Sequence, residues 1–397
     1  MSQAARRIAI FTGTRADYGL LRPLIAEVDA DPRAQLQLIV SGSHLSAAHG
    51  NTVSEIEADG RSIAARIPIW SASDSSLAAA ADFGTAVGNY AESLEALQPD
   101  VVVVLGDRLE ALAMATAATI VAVPVAHIHG GELTEGAMDD SLRHAITKLS
   151  YLHFVTAEEH RLRVIQLGEE PDRVFAFGAP VLDSISELTL LTGPELEERF
   201  GVRVDGRTVL MTFHPALFDA IASTDLLGEL LTAVERLGVA VVITGTNSDI
   251  GSAEIRSQIE RFVQEHHERA HFVESFGQLG YLSAMSLAGA VVGNSSSTVL
   301  EAPLLGIPSV LVGDRQHGRP LSPSVLTPEP IASEIQRDIE LALSEGFRVS
   351  TVARGTVFGR PGFARRATEE LITHEIPHPP RKRFYDVPGQ NHLAGNN

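Results

Sequence analysis

Val101-Val102-Val103-Val104-Leu105-Gly106-Asp107-Arg108-Leu109-Glu110 is the stretch that decides the fold. Its first five residues are apolar without interruption, so a strand here has no polar face to show to water. Such a strand must be covered on both sides, the condition of a parallel sheet flanked by helices. Polar residues end the run, and Leu109 to Ile120 then reads as a buried, alanine-rich helix. Working outward, the same alternation returns. Arg7 to Phe11 and Leu36 to Val40 read as strands, Gly19 to Ala30 and Ser75 to Leu97 as helices, and Val121 to Ile128 as a further strand. After a charged, helical stretch from Val181 to Arg203, a second series of strands begins at Thr208–Thr212. It continues through Ala240–Thr244, His271–Val273, Ala290–Val292 and Ser309–Val312, each separated by a helical run. The expected architecture is α/β: two doubly wound parallel-sheet domains facing a central cleft. The expected bounds are 1–185 for the first, 186–375 for the second, and 376–397 for a peripheral arm whose end is disordered.

The chain has 397 residues, a length that suits two or three domains. Hydrophobic residues make up 44%, enough to bury a large core. Lysine and arginine total 31 against 50 acids, a formal charge of −19. That balance argues against a nucleic-acid footprint or docking on anionic lipid, both of which need a basic face. No cysteine is present, which excludes disulfides, a thiolate nucleophile and sulfur-built zinc sites. The most membrane-like stretch, Ala111 to Ala126, is mostly alanine, carries threonines and contains Pro124. It falls short of a span of about 20 apolar residues. A soluble, cytoplasmic protein is expected.

In open parallel sheets, ligands bind beyond the carboxyl ends of the strands, and the informative residues cluster there. Gly13-Thr14-Arg15 follows the first strand. It lacks both G-x-G-x-x-G and a Walker lysine, so a classical dinucleotide or ATP site is disfavoured. Arg15 tips a simple strand–helix turn toward phosphate or sugar contact. Asp107 is either the N-cap of the next helix or a carboxylate that acts as base or holds a substrate hydroxyl. In His127-Ile128-His129-Gly130-Gly131-Glu132, strand alternation puts both histidines on one side. Packing is favoured for His127, and a metal reading lacks a second ligand cluster. Asp139 and Asp140 open a helix, where the dipole favours carboxylates, and one of them can be only a cap. Three acid-bearing loops together suggest separated acid and base roles.

In the second half, His214 is placed to titrate near neutrality or to bond substrate. Gly293-Asn294-Ser295-Ser296-Ser297-Thr298 precedes an expected helix from Val299 to Leu305 and reads as a diphosphate cradle without lysine. Glu301, one turn into that helix, suits a ribose diol or merely complements the dipole. Arg315 and Arg319 can fork onto phosphate oxygens.

Together these loops resemble one family in order from about residue 7 to 320: the hydrolysing UDP-N-acetylglucosamine 2-epimerases of sialic-acid and related nonulosonic-acid biosynthesis. The motifs concerned are Gly13-Thr14-Arg15-Ala16-Asp17-Tyr18, Gly106-Asp107-Arg108, the His127–Glu132 loop, Asp139-Asp140-Ser141-Leu142-Arg143-His144, Gly293–Ser297, Glu301-Ala302-Pro303 and Gly313-Asp314-Arg315-Gln316. The resemblance implies a GT-B fold, UDP held mainly by the C-terminal half, a homodimer, and no cofactor or metal. It also implies anti elimination of UDP to a 2-acetamidoglucal, followed by hydration to the free manno-configured sugar. It carries catalytic roles to Asp107, one of Asp139 and Asp140, and His214. Diphosphate contacts fall to Ser295 and Ser296, with Ser297 beside them, and to Arg315; the ribose contact falls to Glu301 and a nucleotide-side contact to Arg15.

The non-hydrolysing 2-epimerases read differently at the same loops, with Gly-Asp-Thr in place of Gly-Asp-Arg and a His-Val-Glu-Ala-Gly type loop. One departure from the hydrolysing pattern stands out. Where animal-type enzymes place an essential Glu before Gly-Gly, this chain has His129, so either His129 or Glu132 serves instead. Similar His-containing loops occur in bacterial members, some acting on a 2,4-diacetamido-trideoxy sugar such as diacetylbacillosamine. A GT-B glycosyltransferase, a non-hydrolysing epimerase and a UDP-sugar sensor are the other readings.

Overall fold

The computed structural model describes residues 5–46, 51–69, 75–133, 138–215, 221–246 and 252–388. The chain divides into two compact units, one of Met1–Ser186 with Gly359–Asn397, the other of Glu187–Phe358. In the first, the order is β1 (Arg6–Thr12), α1 (Arg15–Ala30), β2 (Ala34–Ser41), α2 (Val53–Ala58), β3 (Ile63–Ile67), α3 (Ser76–Leu97), β4 (Val101–Leu105) and α4 (Leu109–Ile120). Then come β5 (Val125–Ile128), α5 (Met138–Leu149), β6 (Leu152–Val155), α6 (Glu158–Gln166), β7 (Val174–Ala176) and α7 (Val181–Glu187). The second unit runs α8 (Gly193–Phe200), β8 (Val209–Thr212), α9 (Ser223–Leu237), β9 (Val241–Thr244), α10 (Ser252–Glu265), β10 (Ala270–Val273) and α11 (Gly277–Leu287). It ends with β11 (Ala290–Gly293), α12 (Ser296–Val299), α13 (Glu301–Leu304), β12 (Ser309–Leu311), β13 (Val325–Leu326), α14 (Ala332–Leu343) and α15 (Glu345–Arg354). A last helix, α16 (Phe363–Thr373), belongs to the first unit.

The sheet orders are β3-β2-β1-β4-β5-β6-β7 and β10-β9-β8-β11-β12-β13, and every described pairing is parallel. Strand order reverses between β1 and β4 in one sheet and between β8 and β11 in the other. At such switch points the loops leaving neighbouring strands turn to opposite faces and open a crevice.

The quoted strand shows why the apolar run is uninterrupted. Val101, Val103 and Leu105 join Ile8, Ile10, Leu21 and Ile25 in a core on one face. Val102 and Val104 join Ala9, Phe11, Tyr90 and Met114 on the other. Each fully buried aliphatic side chain contributes about 1.5–3 kcal/mol.

Three expectations need correction. The strand expected from Val121 begins only at Val125, because Ala122 takes a left-handed φ of 59° and Pro124 has no N–H to give a ladder. The helix expected over Val299–Leu305 is two four-residue helices that part at Leu300. The second domain does not extend to residue 375. The chain returns at Gly359, and Phe363, Ala364, Ala367 and Leu371 of α16 complete the core under α1. Amphipathic helices look alike in sequence, and only packing says which sheet they cover.

Asp183 secures this return. Its buried carboxylate accepts from the backbone N–H groups of Gly362, Phe363 (3.2 Å) and Ala364 (2.6 Å), the open donors at the start of α16. The arm beyond it is also anchored. Lys382 Nζ lies 2.7 Å from the buried Glu169 carboxylate, and Tyr385 N donates to Gly168 O at 2.9 Å. The expected disorder of the arm's end falls on residues 389–397, outside the described residues. Replacing Asp183 with Ala leaves those buried donors unmet and is expected to destabilise the first unit by about 3 kcal/mol. A urea midpoint unchanged from wild type would contradict this capping role.

Candidate active site

In the first unit the site starts at the switch point. Gly13 follows β1 and lies under a side chain from α4: a Cβ there would stand 2.6 Å from Glu110 Cγ. Thr14 caps α1, its hydroxyl accepting from Asp17 N at 3.2 Å. Arg15 is exposed, with its Nε 2.9 Å from Glu55.

Asp107 is not the N-cap of α4, because Arg108 holds that position. The Asp107 carboxylate instead accepts from Nη2 of Arg143, a buried arginine on α5. Arg143 Nη1 also stands 3.8 Å from Asp140, whose other oxygen is 3.5 Å from His144 Nε2. Asp140 thus belongs to a charged cluster with Asp107, while Asp139 is exposed on the same first turn. Arg143 had no expected role. Its visible signal is a basic residue at i+3 from Asp140, the spacing that puts two side chains on one helix face.

The two histidines of the next loop do not act as a pair. His127 ends in two hydrogen bonds, Nε2 to Gly106 O at 2.8 Å and Nδ1 to Thr147 Oγ1 at 3.2 Å. Burial pushes its pKa down to about 3, so it is a neutral, structural imidazole. His129 leaves the strand with φ of 69°, which breaks the alternation. Its Nδ1 lies 3.1 Å from Glu132 Oε1, and its buried Nε2 has no partner among the described residues. Thr156 also donates to Glu132, at 3.1 Å, and bonds His160 at 2.7 Å. Burial alone would raise the Glu132 carboxyl, but His129, His160 and Arg143 outweigh it and hold it below the usual range. A histidine with a carboxylate on one nitrogen and the other open is arranged to pass a proton.

Two further acids were missed. Burial raises the carboxyls of Asp17 and Glu110, against the nearby Arg108 guanidinium, 3.9 Å from Asp17. Their signal in sequence is only that both follow the glycine-bearing ends of adjacent strands. Among the described residues, no three histidine or acidic side chains converge as a metal site.

In the second unit, Gly293 ends β11 with φ of 140°, where a Cβ would lie 1.9 Å from Thr212 O. Only glycine fits this approach. Ser295 and Ser297, expected as diphosphate contacts, spend their hydroxyls inside the turn. Ser297 Oγ donates to Ser295 Oγ at 3.1 Å and meets Tyr281 Oη at 2.7 Å, and Tyr281 reaches Thr212 at 3.0 Å. Ser296 is the partly exposed member. Glu301 opens α13, its carboxyl raised by burial against the pull of Arg319, and its Oε2 has no partner among the described residues. His214 and Arg315 both meet Asn294: His214 N donates to its Oδ1 at 2.8 Å, and Arg315 Nη1 lies 3.5 Å from its carbonyl oxygen. A cavity of about 410 Å³ opens beside the last loop, lined by Gln316, Arg319, Leu311, Leu321 and Pro328 among others.

Set against known proteins, the family described as UDP-N-acetylglucosamine 2-epimerase matches residues 26–372. The chain belongs to this family. It is 36% identical to the GDP/UDP-N,N'-diacetylbacillosamine 2-epimerase (hydrolyzing) of Campylobacter jejuni over 82% of this chain and 84% of that one. It is 33% identical to the polysialic acid biosynthesis protein P7 of Escherichia coli over 96% and 98%. The crystal structure of UDP-GlcNAc 2-epimerase from Neisseria meningitidis, bound to UDP-GlcNAc, superposes with a TM-score of 0.75 at 18% identity, covering 92% of this chain and 99% of that one. The last similarity shows the shared GT-B-like fold.

The epimerase fold has a pH cost at His127. Its native pKa of about 3 lies below the ordinary value near 6.5, so the unfolded chain binds a proton that the native state refuses. The stability this histidine permits is complete above about pH 6.5 and is lost as pH falls toward 3, by up to about 1.4 kcal/mol per pH unit. Urea midpoints between pH 7 and pH 5 should fall less steeply in His127→Asn than in wild type; parallel slopes would refute it.

Proposed function

We propose that this protein is a hydrolysing nucleotide-sugar 2-epimerase. It converts a UDP- or GDP-linked 2-acetamido sugar and water to the free manno-configured sugar and the nucleoside diphosphate. UDP-N-acetylglucosamine and UDP-diacetylbacillosamine are the two candidate substrates, the second favoured by the Campylobacter relative's name. The observation that carries the reading is the acid-rich set at the ends of β4 and β5: Asp107 bound to Arg143, and Glu132 bound to His129. A glycosyltransferase needs no such set beside an anionic donor.

Loss of the C2 proton needs a base, and departure of the diphosphate or hydration of the glucal needs an acid. Asp107 and one of Asp139 and Asp140 are the carboxylates proposed for proton transfer and sugar contact. Asp140 is held by Arg143 and His144, which leaves Asp139 as the exposed carboxylate of that turn. The His129–Glu132 pair stands in for the family's acid before Gly-Gly, with His129 Nε2 as the donating atom. In the second unit, His214 is the catalytic contact, the Ser295–Ser297 turn and Arg315 hold the diphosphate, and Glu301 takes the ribose diol. Arg15 completes the nucleotide side once it exchanges Glu55 for phosphate. No cofactor is required by this chemistry.

A cytoplasmic location fits a cysteine-free chain that uses nucleotide sugars. A homodimer is inferred as well. The exposed face of α3 supports it: Leu77 is 80% exposed, and helical spacing puts the exposed Ala81 and Gly84 on the same side.

Incubation with each UDP-sugar in deuterated water should release UDP and a free sugar labelled at C2, both read by mass spectrometry. A product that stays UDP-linked would sink the hydrolysing reading. Asp107→Asn should lower kcat by about 10²- to 10⁴-fold, the usual weight of one general acid or base. UDP affinity, measured by calorimetry, should hardly change.

A further inference from the structure

Asn294 is completely buried where the loops after β8, β11 and β12 meet. Its side chain makes a two-way bond to the backbone of one residue: Oδ1 accepts from His214 N at 2.8 Å, and Nδ2 donates to His214 O at 2.7 Å. Its own main chain ties in the other two loops. Asn294 N donates to Thr212 O at 3.3 Å, and its carbonyl accepts from Gln316 Nε2 at 3.0 Å and Arg315 Nη1 at 3.5 Å. Next to it, Gly293 is pressed against Thr212 and admits no other residue, so the asparagine has a fixed mount.

We infer that Asn294 is a positioning residue, which sets the His214 imidazole relative to Arg315 and the Ser295–Ser297 turn and acts only through them. The inference rests on the reading of His214 as a substrate contact. The residue type follows from the geometry. Beyond Thr212 the chain leaves the β8 ladder, so strand pairing no longer fixes the backbone of His214. Holding both its N–H and its C=O from one side chain needs a donor and an acceptor on a short planar group. Asparagine supplies both; an ionised aspartate supplies no donor, and alanine supplies neither. A loop shift of about 1 Å at a reacting group costs on the order of 100-fold in rate.

A mutant cycle on the full-length protein tests this, with wild type, N294A, H214A and the double variant compared for kcat, KM, UDP affinity and melting temperature. N294A should lower kcat by about 100-fold and weaken UDP binding by less than about fivefold. In the H214A background the same substitution should add less than about threefold, because residues that act as a unit are non-additive. N294D keeps the acceptor toward His214 N and should fall between wild type and N294A; it carries the cycle if N294A does not fold. An equal penalty in both backgrounds, or a loss no greater than the loss of folded protein, would overturn the inference. If H214A turns over like wild type, the reading of His214 fails instead, and the two failures are distinguishable.

Discussion

The burial of β4 on both faces governs the rest of the molecule. With Val101, Val103 and Leu105 committed to one core and Val102 and Val104 to another, neither face of the strand can host a polar group. An unpaired charge there would cost several kcal/mol. Polar chemistry is therefore confined to the strand ends, where the backbone leaves the ladder. In the first unit the candidate residues follow β1, β4 and β5 or open α5, and in the second they follow β8, β11 and β12.

Confinement at strand ends creates an electrostatic problem that the chain answers locally. A protein of net charge −19 gathers several acids in a small space, and its proposed substrate is itself an anion. Arg143 is buried between Asp107 and Asp140, His129 lies against Glu132, and Arg108 stands near Asp17 and Glu110. Each arginine acts over a few ångströms in a poorly screened setting, whereas the remaining surface acids are largely screened by salt beyond about 10 Å. Net charge thus argues against an extended polyanion such as nucleic acid, yet says nothing about one diphosphate.

The second unit meets the same confinement with neutral groups. A run of hydroxyls from Ser295 through Ser297 and Tyr281 to Thr212 braces the turn after β11 from beneath. Asn294 ties that turn to its neighbours on both sides. The small residues that read as a phosphate cradle are therefore partly a brace, which leaves the backbone, Ser296 and Arg315 as the proposed diphosphate contacts.

Fold class, the two sheets and the strand-end position of the candidate residues were legible in the sequence. They depend on local hydrophobic periodicity and on short motifs, both carried by neighbouring residues. Family membership was legible for the same reason, since the loops keep their order and spacing. What tertiary structure decided depends on contacts between distant residues. The return of α16 to the first unit hangs on Asp183, about 180 positions before it. The partnership of Asp107 with Arg143 spans 36 positions, and that of Asn294 with His214 spans 80. Side chains that share a strand-end loop look equivalent along the chain. A packing role is already the favoured reading of His127 in sequence, but only three-dimensional packing shows both its nitrogens bonded and the ring neutral while His129 keeps one nitrogen open. The sequence determined which candidate groups stand at the strand ends; burial and pairing determined the setting of each.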